Sequence, residues 1–348
     1  MHCSNFMITL REGVPGDRTV TNNTINITER RGEDMTPVNP QATENARKLL
    51  QYLTDIGGKG ILTGQHTQTV PMEEIEEIRK ITGKEPALRG FELLAYSPNI
   101  RYETGDVACR TEIDENRNTL EQARIFAKNG GIVTFTWHWF SPTGGWDKSF
   151  YAEKTEFDPE KILHDGTEER EAFYHDLDAM AGYLKPFMDE DIPILWRPFH
   201  EAEGTWFWWG RKGPAVAAKL YRMQYDHFVN VHHLDNLLWV WNCPLKEGYP
   251  GDDVVDVLSR DMYVEKGTKT DYRKEYEELI SITEAKKPVA LAEVGILPDM
   301  DMLEKSRVPW CYYMTWSKEF MLTEDYNSHE TLRKVYNSEY AINYPAGL

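Results

Sequence analysis

The sequence predicts an α/β fold, a single (β/α)8 TIM barrel, from three observations. Eight short runs rich in β-branched and aromatic residues follow one another between residues 60 and 317. The stretches between them carry apolar residues at helical spacing. The runs are apolar along nearly their whole length, as strands are when both of their faces are covered. Strand and helix alternating in this way point to a parallel sheet closed on itself, with a doubly wound open sheet as the competing arrangement. A chain of 348 residues is long enough for one such unit, and neither an internal repeat nor a low-complexity linker divides it.

Residues 1 to about 38 are polar and charged without sustained periodicity, so 1–38 is expected to be a leader or surface strap and 39–348 the barrel. Cys3 in "MHCSN" raises the idea of a lipid-anchored terminus, and Asn22 and Asn26 fall in glycosylation tripeptides of a kind that arises often by chance. The pattern changes at "PVNPQATENARKLLQYL". The expected strands are then "GILTGQH", "ALRGFELLAY", "GIVTFTWHW", "IPILWRPFHE", "NLLWVWNCP", "VDVLSRDMY", "KPVALAEVG" and "PWCYYMTWS". Among the helices, Phe173, Leu177, Met180, Leu184 and Phe187 form one apolar stripe, and 116–129, 213–232 and 271–286 carry similar signals. The long insertion 140–166 after the third strand is expected either to shape one end of a cleft or to cover a helix.

Composition narrows the partners. With 39 Lys and Arg against 57 Asp and Glu, a formal net charge of −18 repels a nucleic acid backbone and an anionic membrane surface. No run approaches the roughly 18 apolar residues of a membrane span, and no signal peptide pattern is visible at the start. Four cysteines without a CxxC pair indicate neither a zinc site nor a disulfide scaffold. The 11 Trp and 18 Tyr exceed what a core usually needs and suit a surface that grips flat, half-apolar ligands.

The ends of the eight runs carry His66, Tyr96, His138, Glu201, Asn242, Tyr263, Glu293 and Trp316. In a barrel, side chains at the carboxyl ends of the strands converge on one mouth. Glu201 ends the fourth run and Glu293 the seventh, positions that face each other obliquely across that mouth. Two such carboxyls about 5 Å apart match retaining glycosidases and wider ones inverting glycosidases, while either alone reads equally as a barrel-end salt bridge. Arg197 and His200 of "RPFH" are placed to fix the pocket, and Trp206 to Trp209 form a low-dielectric wall that would raise the Glu201 carboxyl, as a proton donor requires. Small Ala292 and Gly295 leave room around Glu293, with Tyr263 and Arg260 as candidate donors that would keep it an ionised nucleophile. Trp137 and Trp316 are candidate sugar platforms, or else seals of the barrel top.

Two other readings compete. His66, His138 and His200 end three runs and could converge on one metal ion, although "HEAEG" lacks the second histidine of HExxH. A catalytically silent polysaccharide-binding barrel would keep the groove but has no need of a carboxyl pair. G-x-S-x-G, G-x-G-x-x-G and G-x-x-x-x-G-K-[ST] are absent, so neither a serine hydrolase elbow nor a nucleotide site is indicated.

The motifs "FTWHW", "WRPFHE" followed by "WFWWG", "RDMY", "LAEVG" and "MTWS" occur in order. From about residue 40 to the end, the chain resembles family 26 of the glycoside hydrolases, (β/α)8 retaining enzymes dominated by β-1,4-mannanases. The resemblance implies Glu201 as acid/base and Glu293 as nucleophile, with His138, Arg197, His200, Trp206, Phe207, Tyr263 and Trp316 lining sugar subsites. It implies hydrolysis of mannan, galactomannan or glucomannan without metal or organic cofactor, with mixed-linkage β-glucan or β-1,3-xylan as alternative substrates; a monomer is expected. A polymeric substrate implies an extracellular or cell-surface location. Two positions depart from the family pattern: Glu203 stands where a neutral residue is common, and Ser317 where some members carry Arg.

Overall fold

Side-chain alternation along the strands sorts the apolar residues into two layers around a closed sheet. The structure, a computed structural model, describes residues 35–346. The segment expected as a leader therefore lies outside the described residues except for 35–38, as do Cys3, Asn22 and Asn26. The strands are β1 Ile61–Leu62, β2 Gly64–His66, β3 Leu88–Glu92, β4 Ile132–Thr136, β5 Ile194–Arg197, β6 Leu237–Asn242, β7 Val257–Met262, β8 Val289–Val294, β9 Trp310–Thr315 and β10 Ala341–Ile342. Their pairings are parallel, and β9 closes the sheet by bonding β8 on one side and β1 and β2 on the other. The result is the predicted (β/α)8 barrel of eight parallel strands, the first of them split into β1 and β2.

The helices are α1 Glu44–Ile56, α2 Glu73–Thr82, α3 Val107–Glu115, α4 Thr119–Lys128, α5 Glu168–Asp189, α6 Pro214–Asp226, α7 Arg273–Ile280, α8 Met300–Ser306, α9 Glu319–Leu322 and α10 His329–Asn337. The stripe read from Phe173 to Phe187 is the buried face of α5. The helix expected over 213–232 ends earlier as α6 and passes into a π-type turn, His227–Val231. The helix expected over 271–286 closes at Ile280, after one short amphipathic stretch.

On the inward face, Leu195, Leu238, Val240, Val257, Ala290, Tyr312 and Met314 pack with Leu49, Leu50 and Leu53 of α1. The alternate positions Ile194, Trp196, Leu237, Trp239, Leu291 and Tyr313 pack outward with the helix residues Phe173, Leu177 and Leu184. α1 lies across the end of the barrel where β5 and β6 begin, with Thr43 donating to the Asp235 carbonyl and Asn45 to the Asp191 carbonyl. That end is filled, so the mouth is at the carboxyl ends of the strands. Among the described residues, no helix is long and apolar enough to cross a membrane, and Cys109, Cys243 and Cys311 are free and buried.

The first strand is broken at Thr63. β1 pairs with β10 and touches β9 at Tyr312, while β2 pairs with β3 and touches β9 at Thr315. Gly64 begins β2 because a Cβ there would stand 2.2 Å from the Tyr313 carbonyl oxygen, a backbone atom that cannot step aside. Gly64→Ala is expected to lower stability by roughly 1–3 kcal/mol, the usual range for overpacking, measured as a lower midpoint in urea at unchanged slope.

Candidate active site

β8 carries the first carboxyl into the mouth by a break in its alternation. Ala290 and Ala292 face the inner cluster, Leu291 and Val294 the outer one. Two consecutive inward residues, Ala292 and Glu293, coincide with a register shift against β7, where Arg260 pairs Leu291 but Asp261 pairs Glu293. A bulge of this kind re-aims a side chain without ending the strand. Glu293 is buried; its Oε1 accepts from Arg197 Nη2 and its Oε2 from the Tyr263 hydroxyl at 2.7 Å. Both oxygens serve as acceptors, the arrangement of a carboxylate.

Arg197, the last residue of β5, is fully buried and also donates to Asp261 Oδ2 at 2.8 Å and Thr136 Oγ1 at 2.8 Å. Its carboxylate partners hold its guanidinium above even the usual arginine range against the opposing effect of burial. Arg197 thus belongs to the Glu293 side of the site rather than to Glu201, its neighbour in sequence. Arg260, expected as a donor to Glu293, instead points outward to Glu278 at 2.7 Å, as the alternation of β7 demands. One residue that sequence reasoning missed is Asp261. Its signal was available in "RDMY", where a single step separates an outward Arg from an inward Asp. Burial pushes the Asp261 carboxyl up to about 8, against the pull of Arg197 and with a further push from Glu293.

Glu201 does not end a strand. β5 stops at Arg197, and Glu201 sits four residues further on, in a turn where Phe199 and Glu201 adopt φ of +50° and +53°. Non-glycine residues hold this left-handed conformation only when the surroundings fix it. Here the Glu201 N–H donates to Asn242 Oδ1 at 2.7 Å, and Trp209 Nε1 donates to the His200 carbonyl at 2.9 Å. Asn242 in turn donates to Asp261 Oδ1 at 2.8 Å. The Glu201 carboxyl accepts from Trp206 Nε1 at 2.6 Å. Burial, and then the charges of Asp261, Glu293 and Glu203, raise it well above the usual carboxyl range, while the Trp206 bond pulls the other way. One oxygen from each of Glu201, Asp261 and Glu293 lies within 4.8 Å of the others.

The aromatic segment divides into a wall and a support. Trp206 is half exposed, its indole lying over Gly204, where a Cβ would collide with the ring at 2.2 Å. Phe207, Trp208 and Trp209 are buried, with Phe207 stacked on Trp209 at 4.5 Å and on Tyr151 at 5.7 Å. The insertion 140–166 grips this segment, since the Ala152 N–H donates to the Trp206 carbonyl at 2.7 Å and the Trp208 N–H to the Phe150 carbonyl at 3.0 Å. Trp137 is no platform: it is buried against Trp139 at 4.1 Å. Tyr96 is also turned away, its hydroxyl bonded to the Arg117 carbonyl. Trp316 stays half buried, with one face stacked on His66 at 4.0 Å.

The three histidines of the metal reading lie near one another but do not share a ligand position. His138 commits Nδ1 to Glu92 Oε2 at 2.6 Å, and the Glu92 carboxylate lifts it above the usual histidine range although burial opposes this. His66 and His200 are pushed well below that range, first by burial and then by the charge of His138. Among the described residues, the groups whose ligand atoms converge within 4.8 Å do not include these three. Glu92, buried below His138, is a second site residue that sequence reasoning overlooked. Ser317 is buried and accepts from Gln68 at 3.2 Å, and Glu203, half buried beside Cys243, is raised by burial.

The chain is similar to known proteins over most of its length. The chain is 39% identical over 312 residues to a mannan endo-1,4-beta-mannosidase of Thermothelomyces thermophilus, covering 87% of this chain and 61% of that protein. It is 32% identical over 316 residues to mannan endo-1,4-beta-mannosidase A of a Piromyces species, covering 88% and 50%. It therefore spans between half and about three-fifths of the length of these curated relatives. Among solved structures, a Podospora anserina GH26-CBM35 beta-(1,4)-mannanase superimposes with a TM-score of 0.81 at 36% identity, over 90% of this chain and 69% of that one. A beta-mannanase from a symbiotic protist of the termite Reticulitermes speratus, complexed with gluco-manno-oligosaccharide, gives 0.79 at 29% identity, over 89% and 97%. Residues 38–345 match the description of glycosyl hydrolase family 26, and the chain belongs to that family.

Proposed function

We propose that the chain is a retaining mannan endo-1,4-β-mannosidase, with Glu201 as acid/base and Glu293 as nucleophile. One observation carries the reading: oxygens of the two glutamates come within 4.8 Å. Retaining glycosidases hold their carboxyls about 5–5.5 Å apart, whereas inverting ones need about 6.5–9.5 Å to admit a water. The two environments differ in the sense the chemistry requires. Glu201 is raised, so it holds the proton that the leaving glycosidic oxygen needs, while Glu293 is gripped by Arg197 and Tyr263 as an acceptor.

In the first step Glu201 gives its proton to the glycosidic oxygen as a Glu293 oxygen bonds the anomeric carbon and the C–O bond breaks. In the second, the Glu201 carboxylate takes a proton from water as the water oxygen attacks that carbon, releasing Glu293 with the original anomeric configuration. Trp206, Tyr263 and Trp316, the aromatic groups left open at the mouth, would stack on pyranose faces, with His138 and His200 on sugar hydroxyls. A β-mannan substrate is supported by the mannanase names of relatives at 39% and 36% identity. A polymer of that kind is met outside the cell, which favours an extracellular or cell-surface location.

The test is product analysis on galactomannan, glucomannan, lichenan and β-1,3-xylan side by side, with the initial anomer read by NMR. Release of manno-oligosaccharides as the β-anomer is expected; release of the α-anomer, or preference for lichenan or xylan, would overturn the reading. Glu293→Ala is expected to abolish turnover on every substrate. Glu201→Ala is expected to lose roughly 10²–10⁴-fold on mannan yet keep a burst of phenol from an activated aryl mannoside, because that leaving group needs no proton.

Glu203 is one of the charges that raise Glu201. Glu203→Gln removes it, so the Glu201 proton is lost at lower pH. The alkaline limb of the kcat/KM profile should therefore move toward acid while the acidic limb stays in place.

A further inference from the structure

On the outside of the barrel, three side chains that the reaction does not use converge on one point. His227 Nε2 and His232 Nε2 lie 2.6 Å and 2.7 Å from the same oxygen, Oδ1 of Asp178, and 3.3 Å from each other. We propose that Asp178, His227 and His232 form a zinc site that ties α5 to the turn following α6.

The backbone is built for this meeting. In an α-helix the neighbours of residue 227 one turn on are 230 and 231. The π-type turn, in which the His232 N–H donates to the His227 carbonyl at 3.1 Å, widens the turn by one residue and brings His232 beside His227. Asp178 arrives from α5, and the Tyr174 ring, one turn earlier on that helix, backs the His227 ring at 4.8 Å. Such single-turn widenings are frequent at functional sites.

The atoms suit a tetrahedral ion. Two nitrogens bound at about 2.0–2.1 Å with a tetrahedral angle stand roughly 3.3 Å apart, the spacing these rings already have. The carboxylate is closer than a ligand needs to be, because without a metal it accepts hydrogen bonds from the rings. With zinc bound, each ring ligates through Nε2 with its hydrogen on Nδ1, and Asp178 moves back by about 0.6 Å to complete the edge. Asp178 is 57% exposed and the histidines 14% and 28%, so water can take the fourth position. Two imidazoles and one carboxylate select zinc or a similar transition ion over calcium and magnesium, which take oxygen ligands. The site lies where α6 turns back into β6, at the end of the barrel away from the mouth, so its readout is binding and stability rather than hydrolysis.

Untagged protein stripped with a chelator should be titrated with zinc chloride in a calorimeter and melted with and without it, alongside calcium and magnesium chloride. One equivalent of zinc is expected to bind and to raise Tm by a few degrees, with no response to calcium or magnesium. His232→Gln and Asp178→Ala, each with a metal-free melt to show that it is folded, should weaken binding by more than the roughly 10–100-fold typical of an outer-shell change. The absence of saturable binding by the wild type would overturn the proposal. So would binding that survives in the His227→Gln/His232→Gln double variant, or that is lost in Glu201→Gln instead, which would place the ion on the carboxyls of the mouth.

Discussion

The arrangement depends on one buried guanidinium. Arg197 has no water to solvate it, so its charge must be answered by protein groups, and they come from three other strands: Thr136 of β4, Asp261 of β7 and Glu293 of β8. Removing ions from water offsets most of what their attraction returns, so such a cluster contributes position more than stability. Three acidic side chains meet around this single cation. Full ionisation would leave a net negative charge in a low dielectric, which favours keeping a proton on one of them. Glu201 is the member with no bond to Arg197, and burial and the neighbouring carboxylates raise it well above the usual carboxyl range.

The aromatic part of the surroundings excludes water. Phe207, Trp208 and Trp209 are packed beneath Trp206, and the 140–166 insertion bonds the backbone of that segment on its outer side. The long insertion thus acts through the wall that lies against Glu201. The histidines sort by the same physics. The one with a carboxylate partner, His138, is raised, and the two without, His66 and His200, are depressed.

Much of this was legible in the chain. The strand runs and the α5 stripe were correct because parallel strands covered on both faces and one-sided helices leave distinct periodicities. Glu201 and Glu293 stood out because acidic residues follow apolar runs there. What could not be read depended on backbone detail. Strict alternation from Leu291 points Glu293 outward, and only the bulge at Ala292 turns it in. The left-handed turn at Phe199 and Glu201 is likewise silent in sequence, since neither residue is glycine. Arg197 stands close to Glu201 in the chain, but its inward position on β5 sends it to Asp261 and Glu293 across the barrel. Whether Trp137 is a platform or a seal is not legible in sequence, because a tryptophan near a strand end looks the same whether its face meets solvent or Trp139.

Both ends of the Asn242 amide are engaged. Its oxygen holds the Glu201 backbone, and its nitrogen holds Asp261, which grips Arg197, which grips Glu293. The gap between the two glutamates is thereby set like the jaws of a calliper, by side chains in series that fasten the turn carrying Glu201 to the strands carrying Asp261 and Glu293. A change in the length of the 140–166 insertion would therefore reshape what the cleft admits before it altered the spacing at its centre.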